Sequence, residues 1–245
     1  MGAKTTTTRS PAPLHSMRFP GETTAYRSAR NTLLKAERSL RKHVEDVAAL
    51  RRKLPLGGAV RDDYVFEEVA GALDSGATAR RVRMSELFEG GKASLVVYSF
   101  MYGPKMDAAC PMCTAFLDSL DGAAPHIAQR ANLAVVAKSS LDRIRAYARG
   151  RGWRNLRLLS SAGNTYNRDY HGESPDGRQM PSLNVFVRRD GAIRHFFHTE
   201  LLFAKEEKGQ NARHLDMAWP LWNVLDFTPE GRGSDWYPKI DYAQK

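Results

Sequence analysis

The chain has 245 residues, 42% of them hydrophobic and 26% charged, which is enough to bury the core of one α/β domain with additions. No apolar run approaches the roughly 18 residues that a membrane-spanning helix needs. The first 22 residues, rich in Thr, Pro and Arg, lack the apolar stretch of a secretory signal, and two cysteines exclude a disulfide-stapled scaffold. We therefore expect a soluble cytoplasmic protein.

The positive charge is concentrated in an N-terminal arm. Residues 1–55 hold 12 Lys or Arg against 4 Asp or Glu, whereas residues 56–245 hold 25 against 23. Such an arm can contact nucleic acid or an acidic partner without sequence specificity, but no recognised nucleic-acid-binding motif accompanies it. We interpret it as a disordered basic lead-in, 1–22, followed by a solvated helix face, and we expect neither nucleic acid nor a membrane as a partner.

The segment 23–57 has a helical heptad pattern. An apolar side chain recurs every seventh residue, and the positions three residues further on are also apolar except for His43; the stripe is Tyr26, Ala29, Leu33, Ala36, Leu40, Val47, Leu50 and Leu54. Pro55 and Gly57 end the pattern. We expect one long helix that either lies across the main domain or pairs with a second copy of the chain in a homodimer.

Residues 58–245 are predicted to form one domain of alternating strands and helices. A short strand begins near residue 64, and apolar runs of strand length occupy 93–100, 132–138 and 156–160. Between them we expect a helix from residue 114, interrupted by Gly122 and Pro125, and a second helix at 140–149. A polar loop at 161–178 precedes strands at 183–187 and 193–198, which the Asp190-Gly191 hairpin signal joins. A closing helix near residues 219–225 and a surface tail, 228–245, complete the domain.

This order of elements predicts parallel β-α-β units with an antiparallel hairpin at one edge. The fold class is therefore α/β, with a mixed central sheet and a long N-terminal helix.

The two cysteines form the motif Cys110-Pro111-Met112-Cys113 between a buried strand and a helix. Pro111 suits the first helical turn, where no backbone N–H is needed. A spacing of three residues puts both sulfurs on one helical face, close enough to bridge. The spacing predicts two-electron thiol–disulfide exchange.

The two cysteines are predicted to have different roles. Cys110 would lie against unpaired N–H groups and the positive end of the helix dipole, which lower the pKa of a thiol and favour the attacking thiolate. Cys113, one turn further in, would resolve the mixed disulfide. Lys105 is a candidate for an additional positive neighbour.

The alternatives are a zinc site and two inert buried thiols. Cys113 and His126 have zinc-finger spacing, but no second His follows at the required distance. His195 and His198 would lie on opposite faces of a strand, which makes them a poor metal pair. We expect no metal and no cofactor.

The dithiol together with Met180-Pro181 before the hairpin resembles the thioredoxin-like superfamily. The resemblance implies a three-layer sandwich in which a cis-proline, here Pro181, faces the dithiol. It further implies that the Met180 backbone pairs with a bound substrate chain as an added strand. Candidate substrate contacts are accordingly Pro111, Met112, Met180 and Pro181.

A longer set of segments resembles a bacterial family of unknown function that carries the label of a predicted thioredoxin-like dithiol–disulfide oxidoreductase. The likeness runs over most of residues 25–240. Its segments are Lys53-Leu54-Pro55, the dithiol with Thr114, 116–118, Pro125-His126, 129–133, Arg151-Gly152-Trp153, 160–164 and 228–232.

The chain departs from typical thioredoxins near the dithiol. Ala109 replaces the Trp that precedes the first cysteine, and the strand at 93–100 has no obvious counterpart of the buried acid that assists the resolving thiol. An insertion, 101–107, separates strand from dithiol, and its Asp107 is a candidate carboxylate. Dedicated reduction by thioredoxin reductase is therefore doubtful.

We weigh two other functions against exchange with a protein or small-molecule disulfide. A peroxiredoxin-like peroxidase is disfavoured because Asp107 stands where such enzymes have Thr or Ser, and Pro104 is out of register by one residue. A non-enzymatic binding protein would use the N-terminal helix or the 161–178 loop, whose candidate side chains are Asn164, Tyr166, Asn167, Tyr170 and His171.

Overall fold

A computed structural model describes residues 14–69, 78–209, 213–233 and 236–240. The chain forms two units, Met1–Leu54 and Pro55–Lys245. Most of the predicted lead-in, residues 1–13, and the end of the predicted tail lie outside the described residues. Within those ranges, every helix is too short or too polar to span a membrane.

The first unit contains the predicted long helix, α1, at Thr24–Arg52. Thr23 caps it, since its hydroxyl oxygen accepts a hydrogen bond from the Tyr26 backbone N–H at 3.1 Å. Arg51 and Arg52 lie in the last turn, where positive charge suits the helix dipole. Pairing of this helix with a second copy stays a prediction.

The second unit is built on a seven-stranded mixed sheet with the order β2-β1-β5-β4-β3-β6-β7. The strands are β1 Val65–Val69, β2 Ala79–Arg83, β3 Ser94–Phe100, β4 Asn132–Ala137, β5 Leu158–Ser160, β6 Ser182–Arg189 and β7 Ala192–His198. The helices are α2 Pro111–Ile127, α3 Leu141–Arg151, α4 Tyr166–Asp169 and α5 Pro220–Leu225, with a 3₁₀ turn at Met84–Leu87. β3, β4 and β5 run parallel, and hairpins of antiparallel strands form both edges.

Alternation along the strands divides the core into two layers, one on each face of the sheet. On one face Tyr98 and Phe100 of β3 pack against α2, α3 and α5. On the other face Leu95 and Val97 pack with residues of the 3₁₀ turn and with Tyr166 of α4. The predicted α/β class, with a mixed central sheet and a long N-terminal helix, is confirmed.

The β6–β7 hairpin turns at Asp190-Gly191, as predicted, but it contains a bulge. Phe186 is opposite His195 and Asn184 is opposite His198, so β7 has one more residue than β6 between these pairs. The extra residue rotates the following side chain to the other face. The prediction that His195 and His198 lie on opposite faces is therefore wrong.

Helix α2 is not interrupted at Gly122 or Pro125, contrary to the prediction. Pro125 has no N–H to donate to the carbonyl of Asp121. That carbonyl accepts a hydrogen bond from the Asn155 side-chain amide at 3.1 Å instead. A residue about thirty positions further along the chain thus satisfies the group that the proline leaves unpaired.

A buried carboxylate joins one edge hairpin to the centre of the sheet. Glu68 of β1 is 3% exposed and accepts hydrogen bonds from Arg157 at 2.7 and 3.0 Å and from Arg80 at 2.9 Å. Burial opposes ionisation of Glu68, but the two guanidinium groups outweigh it and lower its pKa. The ion pairs hold β1 and β2 against the start of β5.

We expect Glu68→Gln to lower the free energy of unfolding at pH 7 by on the order of 2 kcal/mol, because charge-assisted hydrogen bonds are lost. The pKa of Glu68 is lower in the folded state than in the unfolded state. The stability that its carboxylate gives the wild type is therefore present above the unfolded-state pKa, and it is lost as the pH falls through the folded-state pKa. Denaturant unfolding between pH 3 and pH 7 measures this. The exposed neighbour variant Glu67→Gln serves as the control, and an equal effect of both substitutions contradicts the prediction.

Candidate active site

The dithiol lies where the chain passes from β3 to α2. The insertion begins after Phe100, and the backbone N–H of Cys110 returns to donate to the carbonyl of Met101 at 3.1 Å. Cys110 is the N-cap residue of α2 and Pro111 occupies its first turn. The helix start therefore lies directly over the end of the central strand.

Arg143 of α3 holds the insertion in place. Its guanidinium donates to the carbonyls of Gly103 at 3.2 Å, Pro104 at 3.3 Å and Met106, and it stacks over the Tyr102 ring at 4.6 Å. The sequence analysis did not identify this residue, because its partners are backbone carbonyls about forty positions earlier.

Both cysteines are present as free thiols, Cys110 half-buried and Cys113 buried. The Cys113 thiol, pointing at the Cys110 sulfur, is the main cause that lowers the pKa of Cys110 to about 6. Burial of Cys110 acts in the opposite direction and raises its pKa. The backbone N–H groups of Cys113 and Met112 lower this pKa further. Cys110 is thus a thiolate at neutral pH.

Burial raises the pKa of Cys113 well above its ordinary value, and the neighbouring Cys110 raises it further. The phenol O–H of Tyr98 donates a hydrogen bond to the Cys113 sulfur and acts in the opposite direction. Tyr98 is completely enclosed in the core on β3, the strand in which we found no counterpart of a buried acid. The alternation of β3 is the signal that could have identified it, since it puts Tyr98 on the α2 face.

The dithiol lines a cavity of about 260 Å³ within the second unit. Of the predicted substrate contacts, Met112 and Pro181 line it beside the cysteines. Most of the remaining wall comes from residues that the sequence analysis did not assign to a site: Tyr98, Met101, Leu202, Arg213, His214, Leu215, Asp216, Trp219, Trp222 and Tyr237. Burial lowers the pKa of His214 to about 4, so its imidazole is neutral at pH 7.

The segment before Pro181 differs from the prediction. The described residues contain no cis peptide bond, so the Met180–Pro181 bond is trans and the expected cis-proline is wrong. The Met180 backbone N–H donates to the carbonyl of Gly172 at 3.0 Å, and Glu173 forms a β-bridge with Gln179. The polar loop thus holds the segment before Pro181 in extended backbone geometry. The trans form is also the ordinary preference of an X–Pro bond.

The other candidate groups do not line this cavity. Lys105 and Asp107 are exposed in the insertion. Because α2 is continuous, His126 lies thirteen residues from Cys113, about 20 Å along the helix at about 1.5 Å per residue. Among the described residues, no three His, Cys, Asp or Glu side chains are grouped as metal ligands.

The bulge contributes to a second cavity, of about 600 Å³, beside the sheet face away from α2. Tyr170 and His171 of the polar loop line it together with His195 and His198. The other loop candidates have structural roles: Asn164 donates to the Val65 carbonyl, Asn167 accepts from Ser161, and Tyr166 is buried in the core.

The sequence model of a family described as a bacterial protein of unknown function, DUF899, matches residues 17–243. A search of curated proteins finds no match.

Several solved structures are similar to this chain. PrxQ of Xylella fastidiosa is 14% identical over 59% of this chain and 84% of its own, with a TM-score of 0.42. The peroxidoxin BcpB of Mycobacterium tuberculosis is 18% identical over 59% and 84%, with a TM-score of 0.40. The 2-Cys peroxiredoxin of Plasmodium vivax is 16% identical over 70% and 96%, with a TM-score of 0.42.

We expect alkylation of Cys110 by iodoacetamide to rise with pH through an inflection near pH 6 in the reduced protein. Cys113→Ala removes the largest cause of the lowered pKa, so the inflection should move upward. Cys113→Ser keeps a hydroxyl donor and should shift it less. A wild-type inflection near ~8.5, the value of an unperturbed thiol, contradicts the prediction.

Proposed function

We propose that this chain, which belongs to the DUF899 family of bacterial proteins of unknown function, is a dithiol–disulfide exchange enzyme. The observation that carries the proposal is that the pKa values of two neighbouring thiols at one cavity are shifted in opposite directions. The pKa of Cys110 is lowered to about 6, while the pKa of the buried Cys113 is raised. The lowered pKa favours attack by Cys110, and the raised pKa keeps Cys113 from competing for the substrate in the first step.

In the first step the Cys110 thiolate attacks one sulfur of a substrate disulfide. A bond forms between Cys110 and that sulfur, the substrate S–S bond breaks, and the other half leaves as a thiolate. In the second step Cys113 loses its proton and attacks the Cys110 sulfur, which releases the remaining half. The dithiol has then given two electrons to the substrate, and an external dithiol must return them.

The order of the two steps follows from how each sulfur affects the ionisation of the other. While Cys110 is a thiolate, it raises the pKa of Cys113 and keeps that thiol protonated. Once Cys110 is bound in a mixed disulfide its negative charge is gone. The hydrogen bond from Tyr98 then stabilises the Cys113 thiolate without opposition from a neighbouring anion. We assign Tyr98 a positioning role at the resolving thiol.

The test is oxidation of the reduced protein by disulfides, followed by mass spectrometry of the dithiol. Loss of two hydrogens in the wild type, a trapped mixed disulfide in Cys113→Ser and no reaction in Cys110→Ser support the proposal. Consumption of hydrogen peroxide with dithiothreitol, without reaction of any disulfide, replaces it with a thiol peroxidase. A dithiol unchanged by both oxidants favours a non-enzymatic binding protein.

We expect Tyr98→Phe to slow resolution of the mixed disulfide by roughly 10- to 100-fold, since it loses a hydrogen bond to a developing thiolate. Rapid acid quenching and mass spectrometry measure the mixed disulfide. Tyr147→Phe is the matched control, because that hydroxyl is hydrogen-bonded to the Thr114 hydroxyl at 2.7 Å rather than to a sulfur. Equal rates in both variants contradict the assigned role.

A further inference from the structure

The cavity at the dithiol has a polar end whose hydrogen bonding is incomplete. The Oδ1 of Asp216 and the Nε1 of Trp222 are buried without a hydrogen-bond partner, and both residues line the cavity beside Arg213. Trp222 is completely buried. Buried polar groups are normally paired, and an unpaired one destabilises the folded state. One donor and one acceptor at one place therefore point to a ligand that carries both an acceptor and a donor.

This polar end is fixed before any ligand binds. Asp216 forms ion pairs with Arg213 at 3.4 Å and with Arg232, and the Arg213 guanidinium stacks over the Trp222 ring at 4.7 Å. Trp219 meets Trp222 edge to face, with 5.3 Å between ring centroids. A preorganised site gains affinity because these groups need not be ordered on binding.

The rest of the cavity is small and largely apolar, although Tyr98, His214 and Tyr237 also line it. Met101, Met112, Leu202, Leu215 and Trp219 line it beside the cysteines. Its volume of about 260 Å³ equals that of roughly nine water molecules at about 30 Å³ each. A compact aromatic or aliphatic group fits this space.

The usual way to bind an extended protein chain is not open here. An added substrate strand needs free backbone donors and acceptors at an edge. The Met180 N–H, which would supply the donor, is already bonded to the carbonyl of Gly172. The polar loop of the protein thus already uses this backbone donor.

We propose that the dithiol acts on a small disulfide with an apolar body and a polar group, such as a carboxamide, that offers both an acceptor and a donor. The inference rests on the proposed exchange function and names its substrate class. The polar group binds Asp216 and Trp222, and the sulfur next to the apolar body is attacked by Cys110. The two halves leave as small thiols, one at each step, and the dithiol becomes a disulfide.

Three disulfides test this in the full-length reduced protein: diphenyl disulfide, its para-carboxamide derivative and insulin. The rate at which each oxidises the dithiol is divided by its rate with dithiothreitol, which removes differences in intrinsic reactivity. We expect the carboxamide to exceed both diphenyl disulfide and insulin by roughly tenfold or more, as an added hydrogen bond to charged groups allows.

Trp222→Phe keeps an aromatic ring and removes the Nε1 donor, so the preference for the carboxamide should fall several-fold. Trp236→Phe is the matched control. The ring centroids of Trp236 and Trp222 are 5.9 Å apart, but Trp236 does not line the cavity. Binding of para-(methylthio)benzamide, which cannot exchange, supplies a readout without redox chemistry. It should bind more tightly than thioanisole, and Trp222→Phe should remove the difference.

The outcomes separate the two proposals. If insulin oxidises the dithiol fastest, or if the carboxamide has no advantage in rate or binding, the substrate class is overturned while exchange stands. If no disulfide oxidises the dithiol, both the exchange function and this inference are overturned.

Discussion

Two sulfurs one helical turn apart, at the buried start of α2, form the contact on which the proposed chemistry depends. The thiol of Cys113 stabilises the anion on Cys110, and that anion in turn opposes ionisation of Cys113. Low-dielectric surroundings strengthen both effects, because a buried charge is poorly screened by water. The two groups consequently ionise one after the other rather than together.

The surrounding fold holds this pair in register. Tyr98 of β3 lies on the face of the sheet that packs against α2, so its hydroxyl is hydrogen-bonded to the Cys113 sulfur. The insertion that separates the strand from the helix is held by Arg143 and by the bond from Cys110 to Met101. The inserted residues lengthen the connection without displacing the helix start, because their backbone carbonyls have fixed partners.

The C-terminal segment gives the site a character that the dithiol alone does not have. Trp219 and Trp222 line the cavity beside the cysteines, and Asp216 forms ion pairs with Arg213 and Arg232. On the other side of the site, the polar loop takes up the Met180 N–H. The dithiol therefore lines a small cavity with polar residues at one end.

The elements themselves could be predicted because their signals are local. Apolar runs of strand length, the Asp190-Gly191 turn and a proline after Cys110 each determine structure within a few residues. The dithiol spacing likewise identified the candidate reacting groups. Fold class and candidate nucleophile were therefore within reach of the sequence.

What the sequence could not provide depends on partners far apart in the chain. Asn155 satisfies the carbonyl left by Pro125, so α2 continues where a local signal predicts a break. The bulge opposite Val185 and Phe186 decides which face His198 occupies. Tyr98 resembles any other core residue of a strand until Cys113 lies against it. Local propensity acts along the chain, whereas burial and hydrogen-bond satisfaction are decided only when distant segments meet.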